Sequence, residues 1–183
     1  MKSTGRFAIG IDLGGTFIKG GVVDSKGRII SRVSVDTEVH KGLETVVENI
    51  ASVAVRAAAK SRKKWRSIGG IGLGSPGIFD FKKGTIISSP NLKCLEGQPL
   101  ARLVKKQIGR DVAVFLENDA NAAAYGEQWA GVGRRASSLV LFTLGTGIGG
   151  GVVLDGKIWH GSRGLAAELG HQTIVVDGGY TAT

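Results

Sequence analysis

Residues 9–24 read "IGIDLGGTFIKGGVVD": a strand, a glycine turn and a returning strand. Residues 7–13 form an apolar run of buried-strand length, and residues 17–23 form its antiparallel partner. A turn at 24–27 (DSKG) leads to residues 29–35, which alternate like a third strand. The chain therefore opens on a three-stranded meander. Its first turn holds more glycine than a hairpin needs. Gly14 and Gly15 let the backbone approach a ligand closely, Thr16 adds a hydroxyl, and Lys19 follows. Backbone N–H groups in such a turn can form an anion nest. Asp12, at the strand end, is placed to hold a hydrated magnesium ion through oxygen. A tight hairpin with an edge lysine would use the same residues.

The stretch echoes itself later. "IDLGGTFIKGGVVD" (11–24) is matched by "FTLGTGIGGGVVLD" (142–155), after a glycine turn and polar residues at 131–138. The echo suggests two related halves facing a shared cleft, 1–133 and 134–183. The second turn, "GTGIGGG" (145–151), carries Gly145, Thr146 and Gly147. No Gly-Lys-Ser/Thr follows, so it is not a Walker A loop. It precedes a strand-like "GVVLDG" rather than a helix, so it is not a dinucleotide fingerprint. Two glycine hairpins, one per half, suit a nucleoside triphosphate gripped between two lobes.

Between the hairpins, residues 43–60 have helical spacing with apolar residues on one face. Residues 68–73 read as a strand entering "GSPGIFD". Residues 100–108 read as a helix, 112–116 as a buried strand, 118–130 as an alanine-rich helix, and 139–144 and 152–154 as strands. In "FLENDAN" (115–121) a strand ends just before that helix begins. Phosphoryl transfer to an alcohol needs a carboxylate that accepts the hydroxyl proton. Asp119 at a helix N-terminus is fixed in position, and the helix dipole favours its charged form. Asn118 beside it can orient a hydroxyl. Either residue could instead merely cap the helix.

Bulk properties exclude several classes. The 183 residues are 42% hydrophobic, enough for a core, and the 30 glycines cluster without a period. The net charge of +9 comes largely from residues 60–66 (KSRKKWR) and 102–106 (RLVKK). Both look like helix ends, where cations complement the dipole, so a nucleic-acid partner is not expected. The single cysteine, Cys94, excludes an intrachain disulfide and a multi-cysteine metal site. No apolar run reaches membrane-spanning length and no signal-peptide core opens the chain, so a cytoplasmic protein without membrane contact is expected.

"IGIDLGGTFIKGGVVD", "GIGLGSPGIFD", "SSPNL", "LENDANAAAYGE", "LFTLGTGIGGGVVLDG" and "AAELGHQTIV" occur in this order. Together they resemble the ROK family of bacterial sugar kinases and repressors, within the actin-like ATPase superfamily. The resemblance implies an α/β actin-like (ribonuclease H-like) fold, with the N-terminal lobe complete and the second lobe partly present. It implies a Mg–ATP-dependent hexokinase, with glucose 6-phosphate as the expected product. Asp12, Gly14, Gly15, Thr16 and Lys19 match the first phosphate motif, and Gly145, Thr146 and Gly147 the second. Asp119 matches the base that deprotonates the sugar 6-hydroxyl. Asn91, Asn118, Glu168 and His171 match sugar-ring contacts, and Gly77 the loop that closes on the sugar. A homodimer is implied for full-length members.

The family's histidine strand leads into a cysteine-rich loop whose three cysteines, with the histidine, hold zinc. Here His171 is followed by "QTIVVDGGYTAT" with no cysteine, so no assembled zinc site is expected. The family's C-terminal lobe also has more helices than residues 134–183 can hold, which leaves the strands at 139 and 152 with an uncovered face. A truncated kinase is expected. The alternatives are an inactive fragment that binds sugar or a partner, or a kinase for fructose, mannose, allose or N-acetylmannosamine. A polyphosphate donor would suit the basic surface. A sugar-sensing repressor would need a helix-turn-helix ahead of the strand at Phe7 and is not expected.

Overall fold

A computed structural model describes residues 6–145 and 147–171. They pack as two compact units that divide between Asp119 and Ala120. The division falls at the start of an α-helix, whereas the internal echo puts the boundary after that helix, near residue 133.

The first unit is built on a five-stranded sheet. Strands β1 (Phe7–Leu13), β2 (Phe17–Asp24) and β3 (Ile29–Asp36) form the expected antiparallel meander. Helix α1 (Leu43–Ser61) follows, then β4 (Ile68–Ser75), which lies parallel to β1. A small hairpin, β5 (Ile78–Asp80) and β6 (Thr85–Ser88), stands apart from this sheet. Helix α2 (Leu100–Ile108) leads to β7 (Val114–Asn118), parallel to β4 at the sheet's edge. The order is β3-β2-β1-β4-β7.

Strand alternation explains the core. Ile9, Ile11, Leu13, Ile18, Val22, Ile71 and Leu73 are buried, and they cluster with Val46, Ile50, Val53, Ala54 and Ala57 of α1. Those α1 positions recur at helical spacing and make one apolar stripe. Gly20 lets the helix approach, because a Cβ there would overlap Val53. Ile50 is fully buried, so Ile50→Ala would cost about 2–5 kcal/mol. Both basic clusters end helices as the charge pattern suggests: Lys60 lies in the last turn of α1, and Lys105 and Lys106 in that of α2.

The second unit contains most of α3 (Asp119–Ala130), then β8 (Leu139–Leu144), β9 (Ile148–Leu154) and β10 (Lys157–Ile158) in a three-stranded antiparallel sheet. Among its described residues the buried apolar side chains are Ala120, Ala124 and Val153. Along β8, Val140, Phe142 and Leu144 are exposed. No helix among the described residues is long and apolar enough to cross a membrane.

Candidate functional site

The parallel strands of the first unit bring their carboxyl ends to one edge. Asp12 pairs with Gly74, and Ser75 pairs with Asn118. Ligands of open α/β sheets bind outside this edge, where backbone groups and the following loops are free to face them. Asp12 and Lys19 are cross-strand partners, both exposed. They lie in the lining of a depression of about 740 Å³, together with Gly10, Gly21, Arg32 and Ser34.

The first glycine turn is tightly built. The Gly14 N–H donates to Phe17 O at 3.0 Å. A Cβ on Gly14 would stand 3.0 Å from Phe17 O, and one on Gly15 would stand 3.2 Å from the Cβ of Asn91. The structure thus sets Asn91, from the loop after β6, against the turn. Thr16 is exposed beside them. Thr37 lies outside the sequence motifs. It is fully buried, its hydroxyl donates to Gly14 O at 2.7 Å, and its N–H donates to Thr16 O at 2.8 Å.

Gly77 follows the end of β4 at φ 124°, a left-handed conformation that disfavours any side chain. A Cβ there would also overlap Ser88 O. The side-chain amide of Asn118 donates to Gly77 O at 3.4 Å, and the Asn118 N–H donates to Glu117 Oε1 at 2.9 Å. The loop after β6 is held by Glu96, whose Oε1 accepts from the Ser89 N–H at 2.9 Å. Gly77, Asn91 and Asn118 therefore gather around the same edge as Asp12. Asp119 is the first residue of α3 and is exposed.

In the second unit the glycines of "GTGIGGG" divide between two tasks. Gly145 and Gly147 have open space where a Cβ would project, and the Gly145 N–H donates to Gly147 O at 3.0 Å. Thr146 lies outside the described residues. The strand begins at Ile148, earlier than the expected 152, so the remaining glycines belong to β9. A Cβ on Gly151 would stand 2.5 Å from Ala124 Cβ and 2.6 Å from Ala120 O, so this glycine seats α3. A Cβ on Gly150 would overlap Ala167 O, and one on Gly170 would overlap Ile148 O, so these seat the segment carrying Glu168. His171 Nε2 lies 3.5 Å from Glu168 Oε2, with both side chains about half exposed. The structure thus brings these two expected sugar contacts together.

The described residues do not fit a zinc site. Among the described residues no three histidine, cysteine or acidic side chains come together. Cys94 packs against the first unit's core, and burial pushes its thiol pKa up, which disfavours the thiolate that zinc requires.

The ROK family model matches residues 8–181. The chain belongs to the ROK family. It is 41% identical to the glucokinase of Thermotoga maritima, over 93% of this chain and 51% of that relative. A ROK family glucokinase from Streptomyces griseus, solved with glucose and AMPPNP, superposes with a TM-score of 0.80 at 38% identity, over 94% of this chain and 52% of that one. The xylose repressor of Caldicellulosiruptor bescii is 32% identical over 91% of this chain and 41% of that protein. The chain spans about half the length of the glucokinases it matches. The fold is the actin-like α/β fold of ROK sugar kinases.

Proposed function

We propose that this ROK chain carries the acceptor and phosphate machinery of an ATP-dependent hexokinase that phosphorylates glucose at its 6-hydroxyl. The observation that carries the proposal is the carboxyl edge of the first sheet. Asp12 and Asn118 end neighbouring parts of that edge, Gly77 touches Asn118, Asn91 lies against Gly15, and Asp119 follows Asn118 directly at the start of α3. Glucokinase relatives over more than nine-tenths of the chain support the substrate class.

Asp119 accepts the proton of the 6-hydroxyl as that oxygen bonds to phosphorus and the bond to the leaving diphosphate breaks. Its place in the first turn of a helix favours the anion that this step needs. Asn118 holds the same hydroxyl in line. Asn91 hydrogen-bonds the sugar ring, and Gly77 lets its loop lie close to the sugar. Glu168 and His171 hydrogen-bond further ring hydroxyls. The first glycine turn fits a polyphosphate. Gly14 and Gly15 leave little room for side chains, and Asp12 stands exposed beside them, where it would carry magnesium through oxygen. Gly145 and Gly147, with Thr146 between them in sequence, are assigned to the second phosphate motif. Magnesium, when bound, neutralises charge on the transferring phosphoryl group.

A second reading, sugar binding without phosphoryl transfer, is favoured by the repressor that shares this segment. A panel of glucose, mannose, fructose and N-acetylmannosamine with Mg–ATP tests the proposal. Sugar phosphate formed fastest from glucose is the expected result. Binding of a sugar with no phosphate transfer would move the chain to the second reading.

A further inference from the structure

We propose that Thr37 is a positioning residue for triphosphate binding, acting through the first glycine turn. The inference rests on the kinase reading above and adds a residue to it.

A nest binds an anion when successive backbone N–H groups face the ligand, and a partner that holds the turn's carbonyl oxygens helps to keep that conformation. In the turn after β1, Thr37 engages two of those carbonyls. Its hydroxyl donates to Gly14 O at 2.7 Å and its N–H donates to Thr16 O at 2.8 Å. Gly14 uses its own N–H within the turn, on Phe17 O at 3.0 Å. Among the described residues the N–H groups of Gly15 and Thr16 donate to no backbone carbonyl. The turn is thus left with two donors to offer and two carbonyls committed to Thr37.

Burial makes this device stiff. Thr37 is fully buried, while Thr16 is exposed. It stands between β3 and α1, and α1 packs on the core face of the same sheet. The turn is therefore tied to the buried core of the first unit. Without the hydroxyl, Gly14 O would lose its partner in a confined place, and the turn would relax to find another.

The test uses the whole chain and two variants. Thr37→Val keeps shape and removes the hydroxyl; Thr37→Ser keeps the hydroxyl. Calorimetric titration reads affinity for Mg–ATP, inorganic tripolyphosphate and glucose. Amide hydrogen exchange reads residues 14 and 37. Thr37→Val should bind both triphosphates about tenfold more weakly, leave glucose affinity unchanged and speed exchange at Gly14. Thr37→Ser should restore triphosphate affinity and slow exchange at Gly14. Triphosphate affinity unchanged in Thr37→Val would overturn the inference. So would an equal loss for triphosphate and glucose with a lower unfolding temperature, since that marks a merely structural residue. If the unsubstituted chain binds no triphosphate, the kinase reading fails instead, and exchange alone decides whether Thr37 holds the turn. Faster exchange in Thr37→Val and not in Thr37→Ser supports the latch; equal exchange removes it.

Discussion

The side-chain amide of Asn118 reaches across from the end of β7 to the carbonyl oxygen of Gly77, 3.4 Å away. The contact joins the residue before Asp119 to a loop that only glycine can make. At φ 124°, with Ser88 O where a Cβ would project, Gly77→Ala is strained twice. We expect this variant to lose about 1–3 kcal/mol of stability in urea unfolding. It should also weaken glucose binding, because the loop displaces Asn118. Unchanged stability would show that the loop accommodates a side chain.

Two glycines of one motif should respond in opposite ways. Gly151 seats α3, and a methyl there would press on Ala124 and Ala120. Gly151→Ala should destabilise the second unit by about 1–3 kcal/mol through overpacking. Gly145 faces open space and does not have a positive φ. Gly145→Ala should leave stability within about 0.5 kcal/mol while weakening tripolyphosphate binding. Thermal unfolding and calorimetric titration on both variants separate packing from ligand contact.

Asp24 gives the first unit an acid limit. Its carboxyl accepts the backbone N–H of Arg28 at 3.0 Å, the Arg28 guanidinium at 2.7 Å and the Lys26 N–H at 2.9 Å. The Arg28 N–H is the largest influence holding its pKa below the ordinary 3.8; burial opposes it, and the Arg28 side chain and Lys26 N–H assist. A lowered folded-state value means the stabilisation is fully present above 3.8. It is lost as pH falls through the folded-state value. Asp24→Asn should therefore be less stable than the parent at neutral pH. The two should converge as the parent is acidified below 3.8. A difference in stability that stays constant across that acid range would contradict this.

Much of the first unit can be read from residue order. The meander, α1, β4 and α2 follow from apolar periodicity, as does β8 in the second unit, and their observed bounds differ from the expected ones by a residue or two at most ends. The β5–β6 hairpin escaped because its strands are short and bounded by ordinary loop residues. Residues 112–113 look like strand by composition, yet β7 begins at Val114. The glycines of "GTGIGGG" were harder. Spacing alone does not say which glycine faces a helix and which faces solvent; that requires the register of β9 against β8. Thr37 carries no motif at all. Its role is set by a fold that brings residue 37 back to residues 14 and 16, a contact that no local pattern encodes.

The most direct test removes the charge from Asp119 while keeping its shape. The unsubstituted chain and Asp119→Asn are incubated with glucose and Mg–ATP, glucose 6-phosphate is followed, and glucose affinity is measured on both. We expect transfer to fall by about 10²–10⁴-fold in Asp119→Asn with glucose still bound. Equal rates from the two proteins, or no transfer from either, would contradict the assignment of Asp119 as the base of a working kinase.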